Sequence, residues 1–80
     1  MRLDKYLKVS RIIKRRSIAR DFADSERVSI NGRIAKPSSE VKIGDIITLQ
    51  SGQKKSVFEV LDIKENAPAA EAKNLYRIIE

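Results

Sequence analysis

The sequence contains no cysteine and no histidine. Without cysteine it forms neither disulfides nor thiolate metal sites, and without histidine it lacks the commonest metal ligand and the usual general base. No apolar run approaches the roughly 20 residues that a membrane span needs. Charged residues also interrupt the first 16 positions, where a signal peptide would have its apolar segment. We therefore expect a cytoplasmic protein with no metal site, no cofactor and no membrane span.

Sequence patterns typical of catalysis are missing as well. There is no glycine-rich phosphate loop, no paired nucleophile and base, and no pattern that places two carboxylates together. Aromatic residues make up only 5% of the chain, so stacking on exposed bases is a minor mode of recognition at most. We expect no catalytic residues, and a protein that is not an enzyme.

Positive charge, in contrast, is abundant and concentrated at one end. Residues 1–20 have a net charge of +7 because Asp4 is their only anion, whereas the whole chain has a net charge of +6. Ordinary solvated helix faces mix charges of both signs, because like charges repel. A block this basic favours a polyanionic partner, nucleic acid before an anionic membrane surface. Its cations are Arg2, Lys5, Lys8, Arg11, Lys14, Arg15, Arg16 and Arg20.

Apolar spacing predicts two helices in this basic block. The first covers Arg2–Val9, and Asp4 is placed to pair with Lys8 four residues on. The second runs from about Arg16 to Asp24 and begins directly after two further cations. Because a helix N-terminus presents free N–H groups and partial positive charge, its start is a candidate phosphate site. The alternative interpretation is a basic loop that is merely solvated.

The remaining chain reads as strands and turns. Asn31-Gly32 between apolar alternating residues predicts a hairpin with a type I′ turn. Strands are expected within Val41–Gln53, over Ser56–Ile63 and over Leu75–Ile79, with a short helical turn at Ala69–Asn74. This pattern predicts one α+β domain over residues 1–80, with two N-terminal helices packed on a small, curved, mostly antiparallel sheet. The residues expected to be buried together are Leu3, Leu7, Ile18, Phe22, Val28, Ile30 and Ile47.

An ordered series of motifs resembles the RNA-binding domain named after the fourth small-subunit ribosomal protein. No single motif is specific, but their order is. The motifs are Arg2-Leu3-Asp4-Lys5-x-Leu7, Arg16-Ser17-x-Ala19 followed by Phe22, Val28-x-Ile30-Asn31-Gly32, Lys36-Pro37-Ser38 and Val41-x-x-Gly44-Asp45-x-Ile47. They cover about residues 1–50, which we take as the RNA-binding motif. Residues 51–80 hold the C-terminal strands and the short helical turn.

Two further features resemble one group within that family. The Lys14-Arg15-Arg16 run and the tail Ala72-x-Asn74-Leu75-Tyr76 are similar to the RqcP group, the small ribosome-quality-control factors of Gram-positive bacteria. These factors are related to heat-shock protein fifteen. The resemblance implies binding to large ribosomal subunits that carry a stalled peptidyl-tRNA, with contacts to large-subunit rRNA and to that tRNA. It also implies cooperation with RqcH, which adds C-terminal alanines. We expect a monomer off the ribosome.

The resemblance and the charge pattern together give the candidate RNA-binding residues. Carried over from the family are Arg2, Asp4, Lys5 and Arg16; added from charge and placement are Lys8, Arg11, Lys14, Arg15, Arg20, Asn31, Lys36 and Ser38. We expect the two family arginines to clamp phosphate. Asp4 either orients Lys8, or accepts a hydrogen bond from RNA, or holds Arg2 or Lys5 in position.

One departure from the family and several alternative functions stay open. The family has glycine at the end of the second helix, where this chain has Ser25 and Glu26, so the cap there is expected to be strained or of another kind. The alternatives are a heat-shock-fifteen-like factor that recycles blocked large subunits, a basic module for an acidic protein or a membrane surface, and a detached accessory domain of an rRNA-modifying enzyme.

Overall fold

The computed structural model describes all 80 residues as three helices and one five-stranded sheet. The helices are α1 (Leu3–Val9), α2 (Arg16–Asp24) and α3 (Ala69–Ala72). The strands are β1 (Val28–Ile30), β2 (Arg33–Ile34), β3 (Ile46–Ser51), β4 (Lys54–Val60) and β5 (Tyr76–Ile78). All neighbouring strands are antiparallel, in the order β2-β1-β3-β4-β5. The predicted α+β class is confirmed, and α2 has the predicted bounds.

The turn between β1 and β2 forms as the Asn-Gly pair predicts. Asn31 has φ 53° and Gly32 has φ 83°, the left-handed conformation that both central residues of a type I′ turn require. The Asn31 amide also ties this turn to the start of β3. Its Nδ2 donates to Asp45 (3.0 Å), and its Oδ1 accepts from the N–H of Ile46 (2.9 Å).

The N-terminus of α1 is capped by a loop distant in sequence. Arg2 precedes the helix in an extended conformation, and its side chain makes no capping bond. The first two N–H groups of the helix donate to loop carbonyls, Leu3 to Ser39 (2.8 Å) and Asp4 to Pro37 (3.1 Å). These bonds satisfy donors that would otherwise have no partner. The loop that carries Lys36 and Ser38 thus lies directly against the first helix.

The C-terminus of α2 is capped by a Schellman motif that contains a strained residue. The N–H of Glu26 donates to Ala23, and that of Arg27 donates to Phe22, the two bonds of a Schellman motif. Glu26 occupies the left-handed position of this motif with φ 61°. The Arg27 guanidinium lies over the Phe22 ring, 5.6 Å from its centroid. Of the two possibilities that the missing glycine leaves open, a strained cap and a cap of another kind, the structure has the strained one.

The core lies between the two long helices and one face of the sheet. It comprises Leu3, Tyr6, Leu7, Val9, Ala19, Ala23, Val28, Ala35, Val41, Ile47, Leu49, Val60 and Leu75. The Tyr6 hydroxyl is buried and donates to the Leu75 carbonyl (2.7 Å), which joins α1 to the segment before β5. Burial raises the pKa of this phenol, and the nearby Tyr76 and Asp62 raise it further.

Three positions correct the predicted core. Ile18 is wrong as a core residue, because its side chain is 44% exposed. Phe22 and Ile30 pack against the core but are only partly buried. The small Ala19 and Ala23 are buried instead, so α2 approaches the core through its alanines. Small side chains let a helix backbone lie close to its neighbour, which leaves the larger residues beside them at the rim.

The strand expected to begin at Val41 is also absent. Residues 41–45 form a loop, although Val41 is buried and its N–H donates to the carbonyl of Met1 (2.8 Å). Its apolar side chain fills the core without a neighbouring strand. None of the three helices has the length and apolar character that crossing a bilayer requires.

Candidate nucleic-acid interface

A basic concave surface lies where the N-termini of α1 and α2 meet. We call it the arginine cleft. It has a volume of about 360 Å³ and no apolar lining residue. Its lining residues are Arg2, Asp4, Arg16, Ser17 and Arg20. The cleft therefore unites residues from both predicted helices of the basic block.

The buried carboxylate of Asp4 organises this cleft. Arg2 donates from Nε to Oδ1 and from Nη2 to Oδ2, each at 3.2 Å, and Arg16 Nη2 lies 3.4 Å from Oδ1. The Asp4 side chain is 3% exposed, whereas the two arginine side chains are 53% and 48% exposed. The predicted pairing of Asp4 with Lys8 is wrong, since Asp4 orients the two arginines. The carboxylate therefore holds two guanidinium groups at the surface in fixed positions.

Opposing effects determine the pKa of Asp4. Burial by itself raises the pKa of the carboxyl, because it disfavours the charged form. The Arg2 hydrogen bond, the positive charges of Arg16 and Arg2, and the Lys5 N–H (2.8 Å) outweigh burial and lower the pKa overall. The carboxylate is consequently ionised at neutral pH, as a fixed counterion for the arginines.

Donors remain free in the cleft after these internal bonds are made. A guanidinium has five N–H donors, and Arg16 uses only Nη2 within the chain. Arg15, which precedes α2, makes no side-chain cap, and the N–H groups of Arg16, Ser17 and Ile18 have no acceptor in the chain. Guanidinium forks beside free helix N–H groups form the arrangement that binds phosphate in proteins.

Two other cations of the basic block have acidic partners. Lys5 forms an ion pair with Glu65, and the hydrogen bond and positive charge of Lys5 lower the pKa of that glutamate. Arg20 lies 4.0 Å from Asp24, one turn along α2, with both side chains exposed. Exposed pairs of this kind contribute little to stability, so Arg20 stays available at the edge of the cleft.

Four cations of the basic block have no acidic partner and lie outside the arginine cleft. Lys14 and Arg15 are exposed in the segment between α1 and α2. Lys8 and Arg11 line a separate cleft against residues 66–68. These unpaired cations therefore lie in two places, the separate cleft and the segment between the helices.

The remaining candidates lie on the hairpin and on the loop that caps α1. Asn31 uses both ends of its amide within the chain. Lys36 and Ser38 are exposed. The backbone N–H of Lys36 already donates to Ser39 Oγ (2.8 Å). RNA contact by these three residues stays a prediction.

Two residues with a place at this surface were not among the candidates. Ser17 lines the arginine cleft, and its position in the first turn of α2 was the available signal. Glu65 pairs with a lysine 60 positions earlier in the chain. No local pattern indicates such a contact, because it depends on how the two ends of the chain pack.

The chain belongs to the S4 domain family, whose model matches residues 1–47. It is 51% identical over 80 residues to the RQC P-site tRNA stabilizing factor of Bacillus subtilis (strain 168), covering 100% of this chain and 93% of that protein. The resemblance to small ribosome-quality-control factors that the motifs indicated is confirmed.

Two solved structures share the fold. Heat Shock Protein 15 of Vibrio cholerae, described as trimeric, superposes with a TM-score of 0.89 at 40% identity, covering 99% of this chain and 81% of that one. The solution structure of the hypothetical protein HP1423 gives a TM-score of 0.84 at 33% identity, covering 100% of this chain and 98% of that one. Both likenesses confirm the predicted fold class.

Proposed function

We propose that this protein is an RNA-binding adaptor of ribosome-associated quality control. It binds rRNA and peptidyl-tRNA on stalled large ribosomal subunits in the cytoplasm, and it supports C-terminal alanine tailing by RqcH. It does so by binding, without catalysis. The name of the Bacillus subtilis relative, a P-site tRNA stabilizing factor, supports the tRNA part of this proposal.

The observation that carries the proposal is the Asp4-centred arrangement of Arg2 and Arg16. Fixing a flexible arginine on a ligand costs side-chain entropy, about 2 kcal/mol of rotamer freedom for a free chain. Here the buried carboxylate restricts both arginines during folding, so less entropy is lost when RNA binds. Because Asp4 is almost completely buried, RNA phosphates meet the arginines without approaching the carboxylate closely.

The arrangement suits recognition of RNA by its backbone and shape. The cleft has no apolar lining residue and no aromatic platform on which a base could stack. Structured RNA is recognised mainly through phosphates and 2′-hydroxyl groups. The guanidinium forks and the exposed Ser17 are donors suited to both groups.

The test measures binding of variants to large subunits that carry peptidyl-tRNA. Arg16→Ala removes a charged donor and should weaken binding by about 1.5–3 kcal/mol, or roughly ten- to a hundredfold. Asp4→Asn should also weaken binding, although it makes the protein more positive, because both arginines lose their fixed counterion. Binding is measured by co-sedimentation, and folding of each variant is verified by thermal unfolding.

Arg77→Ala is the matched control, since it removes the same charge from β5, outside both clefts. It should bind like the parent. Parent-like binding by Arg16→Ala would contradict the proposed site. Alanine tailing reconstituted with RqcH, with and without this protein, tests the partner separately.

A second candidate function is recycling of blocked large subunits. The 40% identity and TM-score of 0.89 with heat shock protein 15 favour it. Both functions use the same arginine cleft. Release of peptidyl-tRNA without any dependence of alanine tailing on this protein would select recycling.

A further inference from the structure

A second basic cleft lies at the opposite end of α1. We call it the linker cleft. It has a volume of about 370 Å³ and is lined by Lys8, Val9, Arg11, Asn66, Ala67 and Pro68. Its charged residues are both cations, and it shares no residue with the arginine cleft. Because α1 has seven residues and rises roughly 1.5 Å per residue, a single phosphate cannot contact both clefts.

The two cations of the linker cleft have no anion within the protein. The other basic residues of the two helices pair with acids, Lys5 with Glu65, Arg16 with Asp4 and Arg20 with Asp24. Lys8 and Arg11 take part in no ion pair. Two like charges that line one cleft repel each other. An external anion bound between them would relieve that repulsion.

Arg11 occupies a backbone conformation that favours glycine. It follows α1 with φ 62°, and its N–H donates to the Lys8 carbonyl (3.0 Å). At such a position glycine is the usual residue, because a Cβ is strained there. Arg11 therefore places a long cation beside the cleft at a cost in backbone strain that glycine would avoid.

The opposite wall of the cleft comes from the other end of the chain. Asn66 is exposed, and its amide makes no hydrogen bond within the protein. The neighbouring Glu65 pairs with Lys5, which lies one turn before Lys8 on α1, and so positions this segment against the helix. The cleft therefore combines two unpaired cations with a free uncharged donor.

We propose that the linker cleft is a second phosphodiester-binding site, which binds a segment of RNA distinct from the one in the arginine cleft. Lys8 and Arg11 neutralise the phosphate, and the Asn66 amide donates to a phosphate or ribose oxygen. The inference rests on the proposed function in one respect, that the ligand is RNA. The segment belongs either to the same RNA molecule or to a second one.

The first test compares affinities for large subunits that carry peptidyl-tRNA. The double variant Lys8→Ala/Arg11→Ala should bind about ten- to a hundredfold more weakly. The control Lys54→Ala/Lys55→Ala removes the same net charge from β4, outside both clefts, and should weaken binding far less. Asn66→Ala changes no charge and should weaken binding by about threefold to tenfold.

Arg11→Gly separates binding from stability. Glycine adopts a φ near 62° without strain, so the Tm of this variant should not fall below that of the parent. Binding should nevertheless weaken, because the guanidinium is lost. A purely structural role of Arg11 would leave binding unchanged.

The second test locates the RNA at each cleft directly. Because the protein has no cysteine, Ser17→Cys and Ala69→Cys each provide a single thiol, the first in the arginine cleft and the second beside the linker cleft. An iron chelate attached to that thiol cleaves nearby RNA. We expect two different sets of cleaved nucleotides, and their positions show whether one RNA molecule or two are bound.

The outcomes separate this inference from the proposed function. Cleavage from Ser17→Cys without cleavage from Ala69→Cys, or equal binding by the two lysine-containing double variants, would overturn the second site and leave the arginine cleft intact. Absence of cleavage from both positions, together with parent-like binding by Arg16→Ala, would overturn the proposed function itself.

Discussion

Asp4 illustrates how one buried acid shapes a basic surface. It is the only anion among the first twenty residues, and it contacts Arg2, Arg16 and the Lys5 N–H. A buried carboxylate without such partners would be costly. With them it stays charged, and its pKa falls despite burial. The same contacts therefore contribute to stability and orient the two arginines at the surface.

The lowered pKa of Asp4 predicts that the stability of the protein depends on pH. Because folding lowers the pKa of Asp4 below its ordinary value of 3.8, the unfolded chain takes up this proton first as pH falls. The contribution of Asp4 is therefore fully present above that value and is lost as pH falls through the folded pKa. At about pH 7, Asp4→Asn should lower the free energy of unfolding by about 1–2 kcal/mol, less than for fully buried partners because the arginines are half exposed.

Urea unfolding of the parent and of Asp4→Asn at about pH 7 and about pH 3 measures this effect. The difference between the two proteins should shrink at the lower pH, where the parent begins to lose the carboxylate charge. A difference that stays constant over this range would show that Asp4 stabilises by shape and hydrogen bonding alone.

At the scale of elements, the position of α2 depends on its small buried residues, and its C-terminus has a strained cap. Ala19 and Ala23 are its buried residues, and Phe22 packs at the edge of the core. This arrangement leaves the first turn and its N–H groups at the surface. The helix thus combines a tightly packed side with an end whose first N–H groups have no acceptor in the chain.

The α2 cap predicts a simple stabilising substitution. Glu26→Gly should raise the free energy of unfolding by about 1 kcal/mol, because the left-handed conformation is strained for a residue with a Cβ. Glu26→Ala is the control, since it removes the carboxylate and keeps the Cβ, so it should give no such gain. Chemical denaturation measures both, and equal stability of the two variants would contradict the strain at this position.

The packing of α2 also predicts different effects for its two large apolar residues. Phe22→Ala should lower the free energy of unfolding by about 1.5–2.5 kcal/mol, below the roughly 3–5 kcal/mol of a fully buried phenylalanine. Ile18→Ala should change it by less than about 1 kcal/mol, because much of that side chain is already in water. Thermal unfolding ranks the two variants, and a larger loss for Ile18→Ala would mean that α2 is rotated.

At the scale of the whole molecule, positive charge is concentrated near the N-terminus, and α1 contacts the C-terminal half of the chain. The first twenty residues have a net charge of +7, and the remaining sixty sum to −1. Tyr6 and Lys5 connect α1 to the C-terminal half, through Leu75 and Glu65. The strongly basic first twenty residues are therefore packed against a remainder of the chain that is nearly neutral.

This charge separation predicts a strong dependence of RNA affinity on salt. For about five phosphate contacts, the slope of log K against log salt concentration should be roughly −3.5 to −4.5. Arg16→Ala should make the slope less steep by about 0.7–0.9, because one contact is lost. Filter binding over a range of salt concentrations measures both slopes, and a parent slope near zero would contradict phosphate-based binding.

The sequence by itself determined the local elements and the place of the basic surface. The bounds of α2, the Asn31-Gly32 turn and the strained cap at Glu26 follow from spacing, turn chemistry and the missing glycine, which act between residues close in the chain. The concentration of positive charge in residues 1–20 is a property of the residue order, so it too could be read directly.

Only the tertiary structure decided which partners these residues have. The exposure of Ile18, the capping of α1 by residues 37–39 and the pairing of Lys5 with Glu65 depend on contacts between distant parts of the chain. The same packing pairs Asp4 with two arginines and not with Lys8. It also places cations of the basic block in two separate clefts. Periodicity shows which face of an element is apolar, but the neighbour that covers it is set by how all elements pack together.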